Sequence, residues 1–421
     1  MTGLLADTLI RKWLMAILAG LICWAGQPGP APAAGQDPAV LVWATNLHDT
    51  RRAAVAAFEA EHPHARIRIL PIATPWKLYL QCLYGQCPDV ITFFQVGAFQ
   101  TFARNNLLLP LPTERPWPHY AALRDYAFRR GDGAHLAEPQ VAYPYLLFYN
   151  QDLVDPEAVA AIRTWDDLTG LAVSAARRAG DQRRDGQSVF GLDVHSDLVW
   201  FQTWLWQRDG ELAAGAQSPD NQKAMAETLA AMAAWRGLPG LLPRPQDRLH
   251  LPSQGASQGV LGSLFLQGRA VFYWSGSWKM WDLAQQTRVT WGVRPIPRGP
   301  RNAQTLMGGN SFAVFRGTRQ AELATRFVQH LASRAGQEAH LAAGIYFPSR
   351  PDLAAPPPAC AVRGALHQGR TQDYDPRLNE ALLEDSLHDV LEAHRLGRLD
   401  ADQAAGQIER VLRSADSGDR P

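Results

Sequence analysis

The sequence predicts an α/β protein organised around more than one core, and three observations carry that expectation. The chain has 421 residues, more than one hydrophobic core usually serves, so two lobes are expected. From residue 40 onward, short apolar runs alternate with helical stretches in the order β-α-β-α-β-α. That order lays strands side by side in a mostly parallel sheet with helices on both faces. A helix-rich middle stretch then gives way to strands again in the last third of the chain.

Each element has a local reason. "AVLVWATN" is a short apolar run of the kind that forms a buried strand, and Asp49 is placed to cap the helix "TRRAAVAAFEAEHP" that follows. In "ARIRILPI" the alternation of Ile67 and Ile69 with Arg66 and Arg68 predicts a second strand. "WKLYLQCLYG" reads as helix, "PDVITFF" as strand, and "VGAFQTFARNN" as a helix ending near Asn105. The segment from Pro139 to Asn150, "PQVAYPYLLFYN", is punctuated by proline and rich in aromatics, which predicts an extended crossing between lobes.

Beyond it, "TWDDL" opens one helix, "DLVWFQTWLWQRDG" forms another, and a third begins near Ser218 or Pro219. "LPGLLPRPQDRLHLP" reads as loop, and "VLGSLFLQG" as helix. "RAVFYW" predicts a strand that turns through Ser-Gly-Ser into the helix "WKMWDL". "VTWGVRPIP" and "GGNSFAVF" are further strands, "QAELATRFVQHLAS" is an amphipathic helix, and the C-terminal region reads as two helices.

Composition narrows the function. Lysine plus arginine number 41 against 40 aspartate plus glutamate, so no overall field would hold nucleic acid. Arg11 and Lys12 precede the apolar run "WLMAILAGLICWAG" and a small-residue stretch, the pattern of an export signal cleaved near Ala33 or Ala34. The run is shorter than the roughly 20 residues of a membrane span. Ile22 before Cys23 argues against a lipid anchor, and residues 1–34 are expected to be removed.

Export makes the surroundings oxidising, so Cys82 and Cys87, separated by Leu-Tyr-Gly-Gln, read as a disulfide. Two free thiols are the alternative that spacing alone leaves open. No phosphate-binding G-x-x-x-x-G-K-[ST] loop, zinc-finger spacing or CxxC motif occurs, and neither metal nor cofactor is expected. "GASQG" mimics the hydrolase G-x-S-x-G around Ser257, with Asp352 and His367 downstream. A polar loop with Pro252 precedes it instead of a buried strand, so Ser257 is read as a helix start. No catalytic residue is assigned. His62 and His64 in "EHPH" make too small a set for a metal and read as a solvated helix end.

Ligands of open α/β sheets sit outside the carboxyl ends of strands. Asn46 and His48 follow the first strand and Gln95 follows "VITFF", so all three are candidates, with helix cap or loop the alternative for His48. "GRAVFYWSGSWKMWDL" places Trp274, Trp278 and Trp281 too close together for all to face one ligand. Aromatic planes suit sugars, because a pyranose presents C–H faces to a ring and leaves its hydroxyl rim for polar groups.

Nine stretches, among them "AAVAAFEAEHPHARIRI", "GQCPDVITF", "LLFYNQDL", "TWDDL", "GRAVFYWSGSW", "WGVRPIPRGP", "GGNSFAVF" and "ATRFVQHLAS", occur in an order that resembles the extracellular solute-binding proteins of carbohydrate ABC importers. The resemblance implies a type II periplasmic binding protein, two α/β lobes joined by a hinge and closing on a ligand in the cleft. It implies lobe 1 over residues 35–143 with 304–350 and lobe 2 over 144–303 with 351–421. It further implies capture of a sugar or polyol by a monomer in the periplasm and delivery to membrane permease subunits.

By family position the ligand set extends to Trp274, Ser277, Trp278, Gly308, Gly309, Asn310 and Arg350, with Trp278 stacking on the sugar. Gly308 and Gly309 would bring backbone N–H groups close, and Arg350 would reach the cleft as a forked donor. The family's acidic residues in the first loop and after the PDV strand are replaced here by "ATNLHD" and "ITFFQVGAF". An arginine cluster taking a phosphorylated polyol is the rival reading, and a serine hydrolase the remote one.

Overall fold

A computed structural model describes residues 38–46, 49–72, 75–94, 96–112, 119–120, 123, 133–183, 186–194, 196–212, 218–248, 263–285, 288–342, 347–353, 362–371 and 380–417. The export signal at 1–34, His48, Gln95 and Ser257 lie outside them.

The strands are β1 (Ala39–Thr45), β2 (Ala65–Pro71), β3 (Val90–Phe93), β4 (Glu138–Asn150), β5 (Phe190–Val194), β6 (Ala270–Gly276), β7 (Trp291–Pro295), β8 (Thr305–Val314), β9 (Phe347–Pro348) and β10 (Gly369–Arg370). The helices are α1 (Asp49–Glu61), α2 (Pro75–Leu83), α3 (Val96–Arg104), α4 (Pro156–Ala161), α5 (Trp165–Gln182), α6 (Asp197–Trp206), α7 (Pro219–Gly237), α8 (Ser263–Leu266), α9 (Lys279–Ala284), α10 (Ala321–Ala332), α11 (Arg334–Leu341), α12 (Gly364–His367), α13 (Glu380–Arg395) and α14 (Ala401–Ser417).

Helix starts follow their caps. Thr164 and Asp167 form a reciprocal capping box at α5, Ser196 caps α6, and Ser218 caps α7 with Pro219 in its first turn. α3 stops where Asn106 adopts a left-handed φ of 57°. The expected loop after α7 contains one 3-10 turn, Pro245–Arg248.

One sheet runs through the molecule in the order β2-β1-β3-β8-β4-β6-β5, with β7 and β9 also on β4 and β10 on β8. It is mixed, not mostly parallel. β1, β2 and β3 are parallel to one another, as are β5 and β6, but β8 runs antiparallel to β3 and β4, and β4 antiparallel to β6. The early β-α-β order governs only β1, β2 and β3; β8, arriving from much later in the chain, pairs alongside β3 in the reverse direction and separates it from β4.

β4 changes partners along its length. Glu138 to Pro144 pairs with β8, and Tyr145 to Tyr149 pairs with β6. The extended segment predicted to cross between lobes is therefore one strand that joins the two ends of the sheet.

Around the β6 end the core is a tryptophan cluster: Trp165, Trp200, Trp204 and Trp235 pack edge to face, and Trp274 lies 4.8 Å from Trp165. Trp206 is buried with them. Around β1 the core is Trp43, Phe58, Phe312 and Phe327. Cys82 at the end of α2 is disulfide-bonded to Cys87, closing a turn whose Gly85 has φ 73°.

Candidate functional site

Antiparallel pairing sets side chains of facing residues on one face of a sheet. Tyr143 faces Gly308, Val141 faces Asn310, and Tyr145 faces Gly276. Val141, Tyr143 and Tyr145 alternate along β4, so all three lie on the same face, at the place where β4 exchanges one partner for another.

The glycines opposite the tyrosines create room. A Cβ at Gly276 would fall 1.7 Å from the Trp278 ring, so only glycine lets that indole lie across the backbone. A Cβ at Gly308 would meet nothing within 4 Å, which makes this position open.

Trp278 is half-buried and stands edge-on to both tyrosines, with ring centroids 5.6 Å from Tyr143 and 5.2 Å from Tyr145. Trp281 packs against the same Val141 and Tyr143 group. Asn310 is buried and its Nδ2 donates to the Tyr143 hydroxyl at 3.0 Å. Beside Trp278, the Ser277 backbone N–H donates to Pro144, while its buried Oγ has no hydrogen-bond partner among the described residues. Burial, and next the charge of Glu384, push the Tyr145 phenol well above its ordinary range, so it stays a neutral donor.

Of the predicted ligand residues, Ser277, Trp278, Gly308 and Asn310 are brought together here. Gly309 faces Ala142, and a Cβ there would press on the Val141 carbonyl at 2.8 Å, so its smallness serves close strand packing. Trp274 is only 1 % exposed and sits in the tryptophan cluster, which leaves it no face for a ligand. Four positions earlier than Trp278, on an intact strand, its side chain points into the core.

Arg350 also differs from expectation. Its Nε and Nη2 donate to Asp352 at 3.0 Å each, so the fork is held by a neighbouring carboxylate, and this bonding holds Asp352 below the usual range. Asn46 is exposed at the end of β1, where its Oδ1 accepts from Arg51 at 3.1 Å, the role of a loop residue steadying a buried cation. Reasoning from sequence missed Tyr143 and Tyr145. Their alternation in "VAYPYLL" was the available signal.

Among the described residues no group of three His, Cys, Asp or Glu side chains could hold a metal ion, and no helix is long and apolar enough to cross a membrane.

The profile of a family described as bacterial extracellular solute-binding protein matches residues 53–361. Among solved structures, the chain is similar to the ABC substrate-binding protein Lmo0181 from Listeria monocytogenes in complex with cycloalternan, at TM-score 0.72 and 18% identity over 91% of this chain and 100% of that one. It is similar to the GacH receptor of Streptomyces glaucescens, solved unliganded and with acarbose, at TM-score 0.72 and 19% identity over 91% and 100%. It is similar to maltose-bound T. maritima MalE3 at TM-score 0.68 and 18% identity over 89% and 99%. At such identities the likeness is one of fold, the mixed α/β fold of two-lobed binding proteins. No curated protein sequence matches the chain.

Proposed function

The chain belongs to the bacterial extracellular solute-binding protein family, and we propose that it captures a carbohydrate or polyol in the periplasm and delivers it to the permease of an ABC importer. No chemistry is performed on the ligand in this reading. The observation that carries it is the aromatic wall of Tyr143, Tyr145 and Trp278 beside the open position at Gly308, placed where β4 passes from one end of the sheet to the other. Such a wall fits the C–H face of a sugar ring, and Asn310, adjacent on the same face, fits its hydroxyl rim.

The lobes take the boundaries 35–143 with 304–350 and 144–303 with 351–421, in keeping with the change of partner between Pro144 and Tyr145. Similar structures carry cycloalternan, acarbose and maltose, which favours the sugar class over others of the same fold. The rival phosphorylated polyol would need an arginine cluster, and Arg350, the one arginine named for the cleft, bonds Asp352 through Nε and Nη2.

A thermal-shift screen of glucose, maltose, maltotriose, trehalose and glucitol tests the reading. A ligand at 100 times its Kd adds about 2.7 kcal/mol of stability, enough to raise Tm by several degrees. Absence of any shift at millimolar concentrations of every member would remove the sugar and polyol assignment.

A further inference from the structure

The three parallel strands β2, β1 and β3 end at one level. Thr45 at the end of β1 pairs with Pro71 at the end of β2, and the pairing of Ala44 with Ile91, carried one residue on, sets Thr45 beside Thr92 of β3. On the far side of β3, Phe93 pairs with Ser311 of β8, the residue next to Asn310. This carboxyl edge is therefore continuous with the place where Asn310 donates to Tyr143. At strand spacings of about 4.8 Å, β2 stands roughly 14 Å from β8, wider than one sugar ring.

Two large rings stand in water along the edge. Phe94, one residue past β3, is 39 % exposed, and Trp76, in the first turn of α2, is 63 % exposed. Only two residues separate Pro75 from Ile72, whose N–H still bonds the Thr45 carbonyl at 3.1 Å. Trp76 is nonetheless held: it stacks on Tyr79 with centroids 5.4 Å and planes 28° apart, and Tyr79 stands edge-on to buried Phe102 at 5.6 Å. α2 seats itself through Leu78 and Cys82, and Cys82 is tied to Cys87, so its packing does not depend on Trp76. An indole fixed on one side and open on the other is ordered before a ligand arrives, which lowers the entropy lost on binding. Leu83 and Tyr84 are exposed too, but at the opposite end of α2.

We propose that Trp76, stacked on Tyr79, is a second sugar platform at the far end of this edge, and that the ligand is an oligosaccharide running from the wall of Tyr143, Tyr145 and Trp278 along the strand ends. One ring packs its C–H face on the wall and another on the Trp76 indole, with Phe94 on the path between them. The inference rests on the sugar-binding reading above and gives the ligand a length, since a single ring or a polyol leaves Trp76 unused.

Calorimetry with glucose, maltose, maltotriose, cellobiose and cellotriose, against the wild type, Trp76→Ala, Trp76→Phe and Tyr84→Ala, tests it. One trisaccharide is expected to bind the wild type at least about tenfold more tightly than glucose, and Trp76→Ala to lose about tenfold toward that trisaccharide with its binding of glucose unchanged. Trp76→Phe should keep part of the affinity. Tyr84→Ala, which removes an exposed ring from the other end of the helix, should bind as wild type does. All apo forms should melt together, which separates lost binding from lost folding. Trisaccharides bound no more tightly than glucose, or a Trp76→Ala protein within twofold of wild type toward the trisaccharide, would overturn the inference and leave sugar binding standing. So would a loss that falls equally on glucose. Failure of every sugar and polyol to bind the wild type would overturn both.

Discussion

Trp274 and Trp278 are four residues apart and have opposite fates. Trp274 is a strand residue whose indole fills the space beside Trp165, and Trp278 follows the turn after Gly276 and lies across that glycine. Truncating the first leaves a cavity costing about 3–5 kcal/mol of folding stability with or without ligand. Truncating the second, half-buried against Tyr143 and Tyr145, leaves no enclosed cavity and removes area that counts chiefly in the complex. Trp278→Ala is therefore expected to weaken sugar binding by about 1–3 kcal/mol with a small change in apo Tm. Trp274→Ala should do the reverse. Binding calorimetry and apo melting of both variants check this, and wild-type affinity in a Trp278→Ala protein would take the indole out of the site.

At the scale of elements, the helices were legible in the sequence because their signals are local: Thr164 with Asp167, and Ser218 with Pro219, announce helix starts wherever the chain is placed. Strand direction was not, since β8 takes its orientation from partners more than 150 residues earlier in the chain. α13 carries the element-scale consequence of burying Glu384. The folded state holds its proton up to about 7 while the unfolded chain releases it near 4.5. Between these values the folded state binds more protons, so stability falls as pH rises through the window. Glu384→Gln abolishes that loss. Its apo Tm should approach that of wild type at pH 5 and exceed it at pH 8; parallel Tm profiles for the two proteins across this range would show that Glu384 is not desolvated.

For the molecule as a whole, a ligand touching both lobes favours the closed arrangement by its difference in affinity for the two states. Small-angle scattering is expected to show a smaller radius of gyration at saturating sugar, with a change in tryptophan fluorescence from the indole at the wall. An unchanged envelope with sugar bound would argue against closure. The sequence by itself determined the α/β class, the order of most of the helices and strands described, the extended segment and the family, because hydrophobic period, caps and ordered motifs are properties of neighbouring residues; it missed β5, β9, β10, α4, α11 and α12, which are short. Only the tertiary structure decided which residues of the aromatic and polar stretches face the same space. Tyr143 and Tyr145 join Trp278 through strand register, Trp274 is lost to the core, and Arg350 is bonded to Asp352. Each of these depends on which distant segment packs alongside, and one residue's change of register would turn the tyrosines to the opposite face.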